Sequence, residues 1–284
     1  MKSIFTSEQQ QYIKSNYQNT PYKEIAAILN ATERQVRGWV NNHCGTKLRQ
    51  FDKSYFHTID SPEKAYWLGF IYADGWVVYS EIRRTYELGI QLKSTDWRHL
   101  EKFNQSLGGA HKIVFGSEDK YIAGYNNMSH TEYALLRIYS KQIVSDLINH
   151  GVVQNKTKAL DFPRVQDYFV DFLRGYFDGD GCLYIAQRTS QSQVSFTCAN
   201  RKFLEYICQV LRDQYSIIGH IYSENDRKNR IQLFGADMRR LLLLMYEDPG
   251  AVYLDRKHQK YLTLLQRPTP PEMTGVQRAK SVNA

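Results

Sequence analysis

The sequence predicts an α+β chain made of one unit used twice, preceded by a small helical module. Three observations predict it. The stretch Trp67-Leu68-Gly69-Phe70-Ile71-Tyr72-Ala73-Asp74-Gly75 recurs as Leu173-Arg174-Gly175-Tyr176-Phe177-Asp178-Gly179-Asp180-Gly181. After each copy, residues alternate apolar and polar with a strand's period, then take a helical period, and this order repeats. The first fifty residues contain helix starts and helical spacing only.

Within each copy a small residue follows a glycine by four positions: Ala73 after Gly69, and Gly179 after Gly175. Positions i and i+4 share a helix face, so each copy presents a flat stripe that another helix can approach closely, and the two stripes are expected to face each other. Each copy ends in Asp-Gly. Gly75 and Gly181 suit a left-handed helix C-cap, which leaves Asp74 and Asp180 in the last turn. A carboxylate there opposes the helix dipole by a few tenths of a kcal/mol, and helices lying side by side bring the two acids together. Such a pair calls for a compensating cation, and a divalent metal with oxygen ligands suits it. A lone Asp-Gly is a common turn dipeptide; the matched pair carries the metal reading.

At these stretches the chain resembles the LAGLIDADG homing endonucleases in their single-chain, two-motif form. The eighth position of that nine-residue motif is the metal-binding acid, here Asp74 and Asp180. The resemblance covers roughly residues 55 to 265. It departs at the sixth position, Tyr72 in one copy and Asp178 in the other. That position is not the family's metal ligand, so the difference implies an asymmetric molecule. The resemblance implies two αββαββα units related by a pseudo-twofold axis through the motif helices, with their sheets forming a saddle over double-stranded DNA. It also implies a staggered cut with 3′ overhangs. Mg²⁺ is the expected cofactor, replaceable by Mn²⁺, with Ca²⁺ supporting binding without cleavage.

Residues 1–50 read as three helices. Thr6 or Ser7 caps the first, which runs through Ile13; Thr20-Pro21 forms a cap and first turn for the second, with Ile25 and Leu29 on one face. After a break at Asn30-Ala31, Thr32 with Gln35 three residues on makes a capping box for a third helix, with Val36, Trp39 and Val40 inward. Glu33, Arg34, Gln35, Arg37 and Asn41 then face out, where a helix-turn-helix domain presents its reading residues to the major groove. The competing account is a three-helix packing module with a solvated charged face. The module resembles helix-turn-helix units that accompany some homing endonucleases. A basic linker with Lys47, Arg49 and Lys53 follows and suits phosphate contacts.

The first unit, 55–158, opens with a motif helix over 62–75. Tyr86, Leu88, Ile90 and Leu92 alternate with polar residues in a strand, a helix spans 96–107 up to Gly108-Gly109, a hairpin spans 111–139 with a polar loop around 126–130, and a helix spans 141–150. The second unit, 159–265, repeats this: motif helix from about 166 to 180, strands at 183–187 and 193–198, helix 201–214, strands 220–223 and 230–234, and a closing helix 237–246. Residues 266–284 read as a flexible basic tail. The polar strand faces offer Gln91 and Lys93 from one sheet, and Gln187, Gln193, Ser195, Thr197, Arg230 and Gln232 from the other, types that contact adenine and guanine edges; a solvated face is the plainer account of any one of them. Lys156 and Lys257 lie at matching points of the two units and, with Lys93, are candidates to orient water or offset phosphate charge.

Composition narrows the class. A formal charge of +8 favours a polyanionic partner. Cys44, Cys182, Cys198 and Cys208 form no C-x-x-C pair, which fits a reducing compartment. No signal-peptide core is seen and the longest aliphatic block, 241–245, is too short to span a bilayer. A cytoplasmic, nucleoid-associated or organellar monomer that is not secreted is expected. His57, His99 and His111 have no second ligand at useful spacing and read as surface or packing residues. Two other functions share the fold: an RNA maturase acting on intron RNA, and a DNA-binding regulator without catalysis. The presence of both Asp74 and Asp180 favours the endonuclease.

Overall fold

Ser61 accepts a hydrogen bond from the Lys64 N–H and Pro62 occupies the first turn, so the helix that carries the first motif opens with a side-chain cap. The computed structural model describes residues 4–17, 20–44, 51–109, 111–122, 127–154, 162–163, 165–186, 192–225 and 228–267. The chain divides into two compact units, Met1–Gln50 and Phe51–Ala284.

In the first unit, α1 (Ser7–Asn16), α2 (Tyr22–Ile28) and α3 (Glu33–His43) enclose a core of Phe5, Ile13, Ile25, Ala26, Val36, Trp39 and Val40. Capping boxes open two of the helices: Thr6 with Gln9, and Thr32 with Gln35. The helix between them starts differently from expectation. Pro21 is its N-cap and no side chain caps it, because the proline ring has no oxygen to accept a helix N–H. Asn30 takes a left-handed φ of 51°, which makes the sharp break before α3.

The second unit holds both copies of the repeat. The first is α4 (Pro62–Asp74), β1 (Gly75–Ser80), β2 (Thr85–Lys93), α5 (Trp97–Ser106), β3 (Ile113–Ile122), β4 (Asn127–Tyr139) and α6 (Lys141–Asn149). The second is α7 (Phe169–Asp180), led by a 3₁₀ turn at Gln166–Tyr168, then β5 (Gly181–Tyr184), β6 (Gln193–Cys198), α8 (Arg201–Tyr215), β7 (His220–Asn225), β8 (Lys228–Phe234) and α9 (Gly235–Tyr246). Each sheet is four-stranded and antiparallel, in order β1-β2-β4-β3 and β5-β6-β8-β7. The fold is the expected α+β arrangement of two αββαββα units. Helices cover one face of each sheet: Leu88, Ile90, Leu136 and Ile138 from one, and Val194, Phe196, Ile231 and Leu233 from the other, share a single hydrophobic core with the helices.

α4 and α7 lie at the centre of that core. Residues 65–73 of α4 are all buried, as befits a helix apolar on every side. Tyr66, Trp67, Phe70, Phe172, Tyr176 and Phe177 are among the largest fully buried side chains, each contributing about 1.5–3 kcal/mol by leaving water. The two helices cross main chain against main chain. A Cβ on Gly175 would lie 1.9 Å from the Tyr66 carbonyl oxygen, and one on Gly179 would lie 2.3 Å from the Ala73 Cβ. The small-residue stripes face each other as the spacing predicts.

Four details differ from the sequence reading. Gly75 and Gly181 are extended, at φ −80° and −78°, and not left-handed caps, because each motif helix runs straight into a strand. The polar segment expected as a loop around 126–130 enters the sheet: β4 already starts at Asn127 and pairs with β3. The strand expected over 183–187 begins earlier, at Gly181, and ends at Tyr184. A further helix, α10 (Asp255–Leu265), follows the second repeat; its buried Tyr261 and Leu264 dock on the core. The expected tail lies almost wholly outside the described residues. No helix among the described residues is long and apolar enough to cross a membrane.

Candidate active site and nucleic-acid interface

Asp74 and Asp180 end the two motif helices at equivalent points of the crossing. Asp74 is half-buried and Asp180 exposed. The absent side chain at Gly179 makes room for the other acid: a Cβ there would lie 3.2 Å from Asp74 Oδ2. The Asp74 carboxylate thus rests against the residue preceding Asp180. Among the described residues, no group of three or more His, Cys, Asp and Glu side chains gathers in one place. A site of two carboxylates suits a hard cation that fills its shell with water and phosphate oxygens, as magnesium commonly does, and does not suit a metal held by a full protein cage.

The sixth motif positions, Tyr72 and Asp178, do different chemistry to one end. Tyr72 Oη donates to the His150 carbonyl, just past α6. Asp178, fully buried, accepts from the Leu254 N–H (2.7 Å), from Tyr66 Oη (2.7 Å) and from Tyr246 Oη. Each ties its motif helix to the segment after its own unit's last repeat helix. Burial raises the Asp178 carboxyl pKa, against the lowering effect of these three donors. Arg174, also buried, anchors the same region through the Val252 and Met245 carbonyls and Asp171.

The three lysine candidates sit in different places, and the histidines are surface or packing residues as expected. Lys257 lies buried on α10, and its Nζ donates to the Phe177 carbonyl (3.1 Å) and to the Gly181 carbonyl. It therefore places a cation at the carboxyl end of α7, where the helix dipole favours one. Burial pulls its pKa down to about 8, opposed by the Asp178 charge. Lys93 is exposed at the end of β2, and Lys156 lies outside the described residues. His99 packs in the core with Nε2 2.9 Å from Tyr66 Oη, and burial depresses its pKa to about 3. His57 has an exposed side chain, and His111 is buried.

The uncovered sheet faces carry the strand candidates. Gln91 Nε2 lies 3.4 Å from Glu118 Oε1. Gln232 Nε2 donates to Gln193 Oε1 at 3.1 Å, so these two amides orient one another. Register sets Ser195 opposite Gln232, and Thr197 opposite Arg230, with Tyr222 next in that row. Arg137, paired with Glu87 at 3.4 Å, shares the uncovered face of the first sheet. Sequence reasoning missed it, although its place between buried Leu136 and Ile138 gave the alternation that finds it. Gln187 lies outside the described residues.

In the helical module Arg34, Arg37 and Asn41 are exposed on α3, with Arg37 paired to Glu33. Gln35 turns back: its Oε1 accepts the Thr32 N–H at 2.8 Å, so the capping box takes up an oxygen expected to face outward. Lys47 and Arg49 lie outside the described residues.

Comparison with known proteins bears on this architecture. Residues 167–246 match the family described as LAGLIDADG-like domain. No curated protein matches the sequence. Among solved structures, the homing endonuclease I-WcaI bound to its DNA recognition sequence is similar at a TM-score of 0.50 and 15% identity, over 72% of this chain and 91% of that one. The LAGLIDADG meganuclease I-AabMI bound to uncleaved DNA gives 0.47 and 16%, over 72% and 90%. Full-length DUF199/WhiA from Thermatoga maritima gives 0.43 and 14%, over 83% and 72%. Residues 167–246 are thus similar to a LAGLIDADG-like domain, and the two αββαββα units of the chain have the fold of a LAGLIDADG homing endonuclease.

Proposed function

We propose that this protein is a site-specific DNA endonuclease that makes a staggered double-strand cut in a long target by metal-dependent phosphodiester hydrolysis. One observation carries the reading: Asp74 and Asp180 end two helices in main-chain contact, with the Asp74 carboxylate against Gly179. One acid from each copy suits one cut in each strand. Asp74 and Asp180 would hold Mg²⁺, with Mn²⁺ as a substitute. When bound, the metal activates water, offsets charge on the phosphate and assists the departing oxygen.

The chain's own residues do the rest. Lys257 holds the last turn of α7 through two carbonyls and so fixes the position from which Asp180 projects. Lys93 and Lys156 serve as phosphate contacts. Gln91, Gln193, Gln232 and Arg230 present amide and guanidinium groups of the kind that read adenine and guanine in the major groove, while Ser195 and Thr197 add hydroxyls. Arg34, Arg37 and Asn41 extend the contact from the helical module, and the excess of positive charge draws the duplex in.

The test is incubation of the full chain with a randomised DNA library in Mg²⁺ or in Ca²⁺, with cleaved and retained molecules sequenced. Mg²⁺-dependent cuts at one long motif, with retention alone in Ca²⁺, are expected. Retention of one motif uncut in Mg²⁺ would make the protein a DNA-binding regulator. Neither cutting nor retention would overturn the DNA reading and direct the search to intron RNA.

A further inference from the structure

We infer that Gly38 marks the point where α3 comes closest to a DNA duplex. The inference rests on the reading of the helical module as DNA-binding. Glycine in a helix interior is disfavoured relative to alanine, because it has more backbone freedom to lose and no side chain to pack. A helix keeps one where a neighbouring atom would clash with a Cβ, or where φ is left-handed. Gly69 and Gly175 have the first reason, and Gly108, outside a helix, has the second at φ 63°. Among the described glycines within helices, Gly38 alone has neither: a Cβ there would meet nothing within 4 Å, and its φ is not left-handed. The fold of the module gives no use for it.

Its position on the helix does. At 3.6 residues per turn, Val36, Trp39 and Val40 define the buried face of α3, and Gly38 falls on the opposite side with Arg34 one turn before it and Asn41 and Asn42 one turn after. That face is exposed, and it offers guanidinium and amide groups that hydrogen-bond phosphates and base edges. It carries no large apolar side chain, as a surface for a protein partner would. A helix with its side chains is about 10–12 Å across and the major groove about 12 Å wide. Leaving out the side chain at the middle of the outward face lets the main chain sit deeper, and brings Arg34 and Asn41 within reach of the groove floor.

A methyl group at this position should therefore act in opposite directions on the free and bound protein. The experiment uses the full chain and its Gly38→Ala and Arg34→Ala variants, with duplexes that the unaltered protein retains from a randomised pool in Ca²⁺ as the probe. Gly38→Ala is expected to raise the unfolding temperature and to weaken DNA binding by about tenfold, as Arg34→Ala also weakens it. If Arg34→Ala weakens binding and Gly38→Ala does not, α3 contacts DNA but Gly38 is not its closest point, and the inference falls alone. If neither weakens binding, the module's DNA-binding role falls with it. A lowered unfolding temperature for Gly38→Ala would show that the fold needs the glycine, and would overturn the inference directly.

Discussion

Gly69 of α4 is pressed against Phe172 of α7 so closely that a Cβ on the glycine would lie 1.9 Å from the Phe172 carbonyl oxygen. The obstacle is main chain, which cannot rotate out of the way. Gly69→Ala must therefore move the helices apart. Alanine would otherwise favour a helix by up to about 1 kcal/mol, yet overpacking a filled core costs about 1–3 kcal/mol and occasionally more. The expected result in urea denaturation is a lower midpoint, and in a cleavage assay a loss of cutting as Asp74 and Asp180 separate. A raised midpoint would show that the crossing is looser than described.

The two motif acids should be separable from binding. Asp74→Asn or Asp180→Asn keeps shape and removes the charge that a cation needs. Double-strand cleavage is expected to vanish while DNA retention in Ca²⁺ persists. Undiminished cutting by either variant would remove the metal assignment.

Lys257 gives the protein a pH signature on the alkaline side. Its folded pKa, about 8, lies below the unfolded lysine value of about 10.4. Between these two values the unfolded chain binds the proton and the folded chain does not, so stability rises with pH across that window. Below about pH 8 the full cost of the buried charge is present, on the order of 3 kcal/mol. Denaturation series at pH 7.5 and pH 10 should show the rise in the unaltered protein and a smaller one in Lys257→Met. An equal rise in both would mean that other groups produce it.

The helical module should add affinity without adding chemistry. Arg34→Ala is expected to weaken binding by roughly 1–3 kcal/mol if the contact is to a base edge. Removal of residues 1–50 is expected to shorten the footprint and leave cutting intact at high protein concentration. An unchanged footprint would set the module apart from DNA.

Much of the fold could be read from spacing because the apolar residues fall with the period of the element that carries them. The period-two pattern through Tyr86, Leu88, Ile90 and Leu92 became β2, and Thr32 with Gln35 closed the capping box that opens α3. Where the reading failed, a distant partner decided. Gly75 and Gly181 have the composition of a helix cap, but pairing of β1 with β2 and of β5 with β6 pulls them into extended backbone. The polar start of β4 has too little apolar content to signal a strand alone, and it forms one because β3 supplies the ladder.

The sequence by itself determined the duplication, the stripes of small residues and the acid at the end of each copy, since these are local patterns that a helix turns into faces. Only the tertiary structure decided what Lys257, Asp178 and Gln35 do. A side chain's role depends on which main-chain groups lie within hydrogen-bonding reach. For Lys257 those groups are the Phe177 and Gly181 carbonyls, and for Asp178 they include the Leu254 N–H. They lie more than seventy residues away in the chain and become neighbours only when α7, α9 and α10 pack into one core.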